Sequence, residues 1–335
     1  MNGLPTAGLV TTQMDTTLHE ILCEIAEIFA NQFEKVEFLL ASFLELLTNI
    51  ISCGIEVIAQ SGITGLKLII FKLENQNITE QFWESIAVTI SNIFKKTRQT
   101  ELLNLDLSNI NILKQNQTVF YNYQNIVNKN IVFCIIQHNL IGLCDEIIEN
   151  YFDKIKISDV YFILDCLNDS FELAYDFNCR FNLRKSISIH FMKDLKQAAA
   201  LFKQQKDGCS LYFKILNKIQ DSESLDDQTK ENNKKRILEY SIKILTQFLD
   251  RVNYYEEDDY LLSENERLLN CMVSVLCENI IPTLIKIDFD KEDNFREEFL
   301  KIFLDMILCN NIDVRLKVKE VLAIIYDRIN NKNNN

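Results

Sequence analysis

Apolar residues recur at helical spacing along most of this chain, and the elements they predict are all helices. The first runs from Thr16 or Thr17, either of which can cap it, to about Ala30, with Leu18, Leu22, Ile25, Ile28 and Phe29 on one face. Residues 36–52 form a second, nearly apolar on Leu39, Leu40, Phe43, Leu46, Leu47 and Ile50. Residues 56–73 form a third, whose small residues Ala59, Ser61, Gly62 and Gly65 lie inside an apolar pattern and predict a close helix–helix crossing. A fourth starts at Thr79, where Ile78 and Trp83 are spaced for a hydrophobic staple across the cap. Its apolar face continues through Ile86, Ala87, Ile90, Ile93 and Phe94.

The densest stretch runs from Ser158 to Leu216 and reads as a long helix, a tight corner and a second helix. Ser158 can cap the first, with Asp159 in the turn where the helix dipole favours negative charge. Val160, Ile163, Leu164, Leu167, Phe171, Leu173, Ala174 and Phe177 then form one stripe wide enough to be buried. Asn178 suits a left-handed stop, and Asn182 can cap the second helix. Asp165 falls within this stripe, one turn from Asp169. An unpaired charge there is costly, so Asp165 is expected to be buried and paired with Arg180 or Arg184 folding back from the corner. Asp165, Asp169, Asn178, Arg180 and Arg184 are therefore the candidate site residues, as a structural corner with scope for an interaction role.

The remaining pattern divides the chain. Residues 1–14 read as a frayed lead-in and 15–103 as a first helical block. Residues 104–130, rich in Asn and Gln, read as a variable connection with one short helix, ordered where residues 119–123 find a partner. Residues 131–219 form a central block. The acidic, then Lys/Asn-rich run 220–235 reads as a mobile linker, as does the acidic loop 256–259. Helices at 237–252, 261–281 (closed near Pro282), 295–309 and 313–329 make a last block within 236–330, and 331–335 is a tail. Each helix pair carries more apolar surface than one neighbour covers, so the pairs must stack. The expected fold is all-α, an α-solenoid of divergent HEAT/armadillo-like helical repeats. The chain opens inside this pattern without a capping helix, and an apolar first face is what a piece of a longer stack would show.

Composition agrees and removes several classes. Of 335 residues, 47% are hydrophobic and only two are proline and seven glycine, too few for a loop-rich or all-β fold. A net charge of −13 disfavours nucleic-acid phosphates and supplies no polybasic membrane anchor. Ten cysteines, scattered singly, read as thiols of a reducing compartment. The start lacks the basic and apolar regions of a secretory signal. The most apolar window, 126–144, is interrupted by polar residues, which argues against a membrane span.

Candidate chemistry is thin. His138 with Cys134 and Cys144 lacks the ligand number and spacing of a zinc site. Gly62-Ile-Thr-Gly65 lacks the basic flanks of a nucleic-acid-binding loop. No Walker A or dinucleotide fingerprint is present. Asp165 and Asp169 could act as paired carboxylates, but catalytic carboxylates need a cleft and a partner acid or base. No catalytic, cofactor-binding or metal residue is expected.

Leu164-Asp-Cys-Leu167, Asp169-Ser170, Phe177-Asn178, Arg180-Phe181, Leu183-Arg-Lys185 and Phe191-Met-Lys193 carry a resemblance, continued by Lys203-Gln204 and Tyr212-Phe-Lys-Ile-Leu216. Glu56, Ala59 and Gly62, then residues 66–70, Trp83-Glu84 and Ile93-Phe-Lys-Lys-Thr97, extend it towards the start. The chain resembles the region downstream of the catalytic domain in the large brefeldin A-inhibited guanine-nucleotide exchange factors for Arf GTPases. It departs at Asn182, Ser188 and His190, where the family usually has an acidic residue, Trp and Gly. The resemblance implies an α-solenoid without the exchange domain, acting peripherally at Golgi, trans-Golgi or endosomal membranes. It would act through protein partners such as a GTP-loaded Arf or Arf-like GTPase, with no cofactor and no nucleic acid. A free-standing helical-repeat adaptor is the second reading. An enzyme with a site assembled from separate helices is the third, and it would need a polar cleft with perturbed titrating groups.

Overall fold

The computed structural model describes residues 7–73, 79–108, 110–192, 200–254, 257–287 and 293–333. Ile78 of the expected staple, Lys193 of the resemblance and Glu256 of the acidic loop lie outside these. Among the described residues there is no strand, and the chain divides into two compact units. Unit 1 takes residues 1–177 and 183–204. Unit 2 takes residues 178–182 and 205–335.

Unit 1 begins with α1 (Ala7–Asn31), the short α2 (Phe33–Val36), α3 (Leu40–Ile51) and α4 (Glu56–Lys72). Small residues set how these meet. A Cβ on Gly62 would lie 2.7 Å from Cγ1 of Ile51, and one on Gly65 would lie 3.3 Å from Cδ2 of Leu47, so α3 and α4 cross where only glycine fits. This is the close crossing that the run of small residues predicts. Between the two helices Gly54 turns the chain at φ +78°. Next come α5 (Glu80–Lys96), the short α6 (Thr100–Leu103) and α7 (Ile110–Gln115), α8 (Gln117–Tyr151) and α9 (Ile157–Cys179).

The register of polar contacts shows how unit 1 stacks. His19 of α1 meets Ser61 of α4 at 3.0 Å, and Glu27 meets Lys72 at 2.6 Å, so α1 and α4 run parallel. Lys67 meets Glu146 at 2.5 Å while the rings of Phe71 and Tyr151 lie 5.9 Å apart, so α8 runs parallel to α4. A second layer repeats this. Lys96 donates to Asn49 at 2.9 Å across α5 and α3, and the two ends of α5 pair with α9 through Glu80–Lys156 (3.1 Å) and Arg98–Asp169 (3.4 Å). Layers α1/α4/α8 and α3/α5/α9 are what stacked helical hairpins produce.

Unit 2 repeats the logic with α11 (Phe202–Asp221), α12 (Asp227–Val252), α13 (Asp259–Val275), α14 (Ile281–Lys286), α15 (Asp293–Ile307) and α16 (Ile312–Asn333); α10 (Phe181–Phe191) starts in its corner segment and belongs mostly to unit 1. The α11–α12 hairpin is antiparallel: the rings of Tyr212 and Tyr240 lie 4.1 Å apart, and Asn233 donates to the Leu216 carbonyl at 2.9 Å. Asn217 donates to Thr283 at 2.8 Å and Lys286 pairs with Asp221, which sets α14 parallel to α11. Arg328 of α16 donates to the Ile285 carbonyl at 3.0 Å.

Several expectations change. Helix α1 starts at Ala7, inside the expected lead-in, and turns Leu22, Ala26 and Phe29 inward while Ile25 and Ile28 are exposed. Leu39 and Leu46 are likewise exposed. The Asn-rich connection is largely helix: α8 starts at Gln117 because Asn116 accepts from the Val119 amide, and Phe120 stacks on Phe191 at 5.1 Å. The expected linker is mostly the first turns of α12, whose polar residues face water while Asn233 alone turns fully inward. Pro282 does not end its helix; a π turn at Leu276–Ile280 carries the chain into α14, with Pro at its start where a missing amide is tolerated. Two helical segments, 117–154 and 259–286, are long and apolar enough to cross a membrane, and in both about half of the apolar window is buried against other helices.

Gly62→Ala should lower stability, because overpacking of about 1–3 kcal/mol exceeds the roughly 1 kcal/mol gained in helix propensity. A Cβ at Gly142 in α8 meets nothing within 4 Å, so Gly142→Ala should raise stability by up to about 1 kcal/mol. Urea unfolding of both variants checks the pair, and equal shifts would contradict the crossing.

Asp226 caps α12 by accepting from the amide and hydroxyl of Thr229, which holds its carboxyl below the usual carboxylate range. A lowered folded-state pKa means that the cap stabilises above the ordinary Asp pKa and is lost as pH falls through the folded value. Hydrogen exchange at the start of α12 should therefore rise on acidification in the parent chain. Asp226→Ala should show fast exchange already at neutral pH, and Asp226→Asn should remove most of the acid response.

Candidate functional site

Helix α9 sorts its residues by face. Ser158, Phe162, Asp165 and Asp169 recur at three- and four-residue steps, with Asp176 two turns further on, and all are exposed, while the apolar stripe from Val160 to Phe177 is buried. Asp165 belongs to the exposed line. The expectation that it is buried is wrong, because helical spacing puts it about half a turn from the centre of the stripe, on the wet side, where water solvates its charge at little cost. Asp169 is also exposed, 3.4 Å from Arg98. Arg180 is exposed at the corner.

The other two candidates are inside. Asn178 is fully buried and donates to Oε1 of Gln205 at 2.7 Å within unit 2, tying the end of α9 to α11. Arg184 has 0% exposure and its guanidinium lies 5.0 Å from the centre of the Phe202 ring. It fills the role expected of Asp165, a buried polar group at the corner. The five candidates are thus split between an exposed set (Asp165, Asp169, Arg180) and an internal set (Asn178, Arg184).

Between α5 and α9 a small cleft of about 150 Å³, partly open to solvent, is lined by Lys95, Arg98, Phe162, Asp165, Cys166 and Asp169 among others. Burial pushes the Cys166 thiol up, against the smaller opposing effects of the Ser91 hydroxyl and Lys95. A raised thiol is a poorer source of nucleophilic thiolate. Burial pushes Cys134 up to about 12 and also raises Cys144, which works against the thiolates a zinc site needs. Among the described residues no group of three or more His, Cys, Asp or Glu is placed to hold a metal ion.

Beneath the cleft lies a network that the candidate residues do not name. Gln137 of α8 donates to the Phe94 carbonyl at 2.9 Å and to Thr97 at 2.9 Å, at the end of α5. Thr97 in turn donates to the Ile93 carbonyl at 2.7 Å. Ser170 of α9 donates to Oε1 of Gln137 at 2.8 Å, and Gln204 at the start of α11 donates to the Ser170 hydroxyl at 3.0 Å. Gln99 donates to Oε1 of Gln204 at 3.2 Å. All five side chains are buried. One chain of amides and hydroxyls thus joins the end of α5 to α8, α9 and the first turn of α11 within unit 1. Thr97, Ser170 and Gln204 lie in the resembling motifs, and that is the signal the sequence offers for them. Gln99 and Gln137 lie outside those motifs, and nothing in their spacing marks them.

Gln137→Leu would leave the Ser170 hydroxyl without its acceptor and the Phe94 carbonyl without its side-chain donor in a buried setting. A stability loss of about 1–3 kcal/mol is expected from urea unfolding. Arg98→Ala, at an exposed pair, should cost at most about 1 kcal/mol. If the two variants behave alike, the network contributes no more than a surface ion pair.

Comparison with known proteins fits this picture of a signature turned inward. Over 195 aligned residues the chain is 26% identical to the ADP-ribosylation factor guanine nucleotide-exchange factor sec71 of Schizosaccharomyces pombe, covering 52% of this chain and 11% of that protein. No solved structure matches it significantly. Residues 135–323, more than half of the chain and including α9, the corner and most of unit 2, match the family described as the BIG2 C-terminal domain. The chain belongs to that family.

Proposed function

We propose that this chain is a non-catalytic regulatory and interaction region of an Arf guanine-nucleotide exchange factor, or of a shortened relative, built as HEAT-like repeats. The observation that carries the proposal is the family match over residues 135–323, which falls on stacked helical hairpins. Exchange in the resembling proteins uses a separate helical domain with an acidic finger, and no stretch of this sequence resembles it. A helical stack offers a long surface suited to other proteins, and its net charge of −13 opposes direct docking on an anionic leaflet. Recruitment to Golgi or endosomal membranes would then run through a protein such as a GTP-loaded Arf or Arf-like GTPase. Exposed Asp165, Asp169 and Arg180 would contribute to the contact surface, with Asn178 and Arg184 holding the corner in shape.

The purified chain should leave the rate of nucleotide release from Arf unchanged, and it should be retained on a GTP-loaded member of the Arf family more than on the GDP form. Accelerated release would overturn the non-catalytic reading. Absence of retention across a panel of GTP-loaded Arf relatives would favour a helical-repeat adaptor with another partner.

A further inference from the structure

The first hairpin leaves more apolar surface uncovered than its neighbours can use. On α1 the face of Leu22, Ala26 and Phe29 packs inward, with the Ala26 methyl 4.0 Å from the Cβ position of Gly65 on α4. Ile21, Ile25 and Ile28, at positions i, i+4 and i+7, form a separate ridge on the exposed side, Ile28 being 63% exposed. The turn into α3 adds Phe38 at 80% exposure, and α3 itself exposes Leu46.

Charge says what this ridge suits. Residues 15–56 carry eight acidic side chains against one basic one, Lys35, a net −7 out of −13 for the whole chain. Glu20 and Glu24 follow the isoleucine ridge along one edge, are exposed, and make no ion pair among the described residues, whereas Glu27 is held by Lys72. An apolar stripe with an acidic border is complementary to a helix carrying an apolar stripe with a basic border. A second copy docking through the same face would bring these glutamates together, and an anionic lipid surface would meet like charge.

We propose that the Ile21–Ile25–Ile28 face of α1, with its border of Glu20 and Glu24, is a docking surface for an amphipathic helix whose apolar stripe is flanked by lysine or arginine. Its support is independent of the proposed GTPase contact, so either can fail alone.

The test uses the full chain and a synthetic Leu/Lys peptide patterned as an amphipathic helix. A scrambled peptide of the same composition and a patterned Leu/Glu peptide serve as controls, with binding read by fluorescence anisotropy. The patterned Leu/Lys peptide should bind at least about tenfold more tightly than either control, a difference of about 1.4 kcal/mol. Ile21→Ser with Ile25→Ser should remove that preference at unchanged charge and unchanged melting temperature. Leu304→Ser with Leu308→Ser, at exposed positions in and just after α15, should leave it intact. Glu20→Gln with Glu24→Gln should weaken binding and flatten its salt dependence. Equal binding of patterned and scrambled peptides, or full binding by the isoleucine variant, would overturn the proposal. So would concentration-dependent dimerisation that the isoleucine variant abolishes.

Discussion

The dependence at the centre of unit 1 is the hydrogen-bonding requirement of a few buried amides. A primary amide in an apolar interior is stabilising only when its donors and acceptor are met, and costly otherwise. Gln137 satisfies this by reaching a free carbonyl at the end of α5, a hydroxyl on the same turn and a serine on α9. The last carbonyls of α5 need partners because the helix has no further turn to supply them. Apolar packing allows many small slips of one helix against another; an oriented chain of donors and acceptors allows few. The parallel register of α5 and α9 is therefore fixed where the network sits, and the exposed Arg98–Asp169 pair is a consequence of that register more than a cause of it.

Glycine does comparable work at the other end of unit 1. Gly62 lets the backbones of α3 and α4 approach until a methyl group would strike Ile51, and α1 runs parallel to α4 with Ala26 beside Gly65. Together these two devices position the α3/α5/α9 layer whose outer side carries the cleft. Neither device is chemical in the catalytic sense. Both limit where helices can stand.

Periodicity makes the all-α architecture legible, because helical spacing of apolar residues needs no tertiary information. The small-residue crossing is legible for the same reason: a run of residues without bulk inside an apolar helix has few other uses. What is not legible depends on the third dimension. Asp165 is a different case: helical angle alone puts it opposite the apolar stripe of α9, and closeness in sequence is what misleads. Arg184 reads as a surface residue by type and is buried, with its guanidinium over the Phe202 ring. The start of α12 reads as a linker because every residue before Ile237 is polar, and its one fully buried residue, Asn233, substitutes hydrogen bonds to Leu216 and Gln220 for apolar contact. The reverse error occurs on α1 and α3, where apolar periodicity points to a core that has no room for every residue in it.

The motifs that mark the family are largely internal. Thr97, Ser170, Gln204, Asn178 and Arg184 are buried, so a match at these positions reports how helices are fitted together. Ser188, one of the positions where the resemblance departs, is also buried. The exposed residues, by contrast, include the Asp165 line of α9 and the acidic, isoleucine-ridged face of α1 outside the family match. Internal agreement can thus hold a scaffold constant while its surfaces are free to specify different partners.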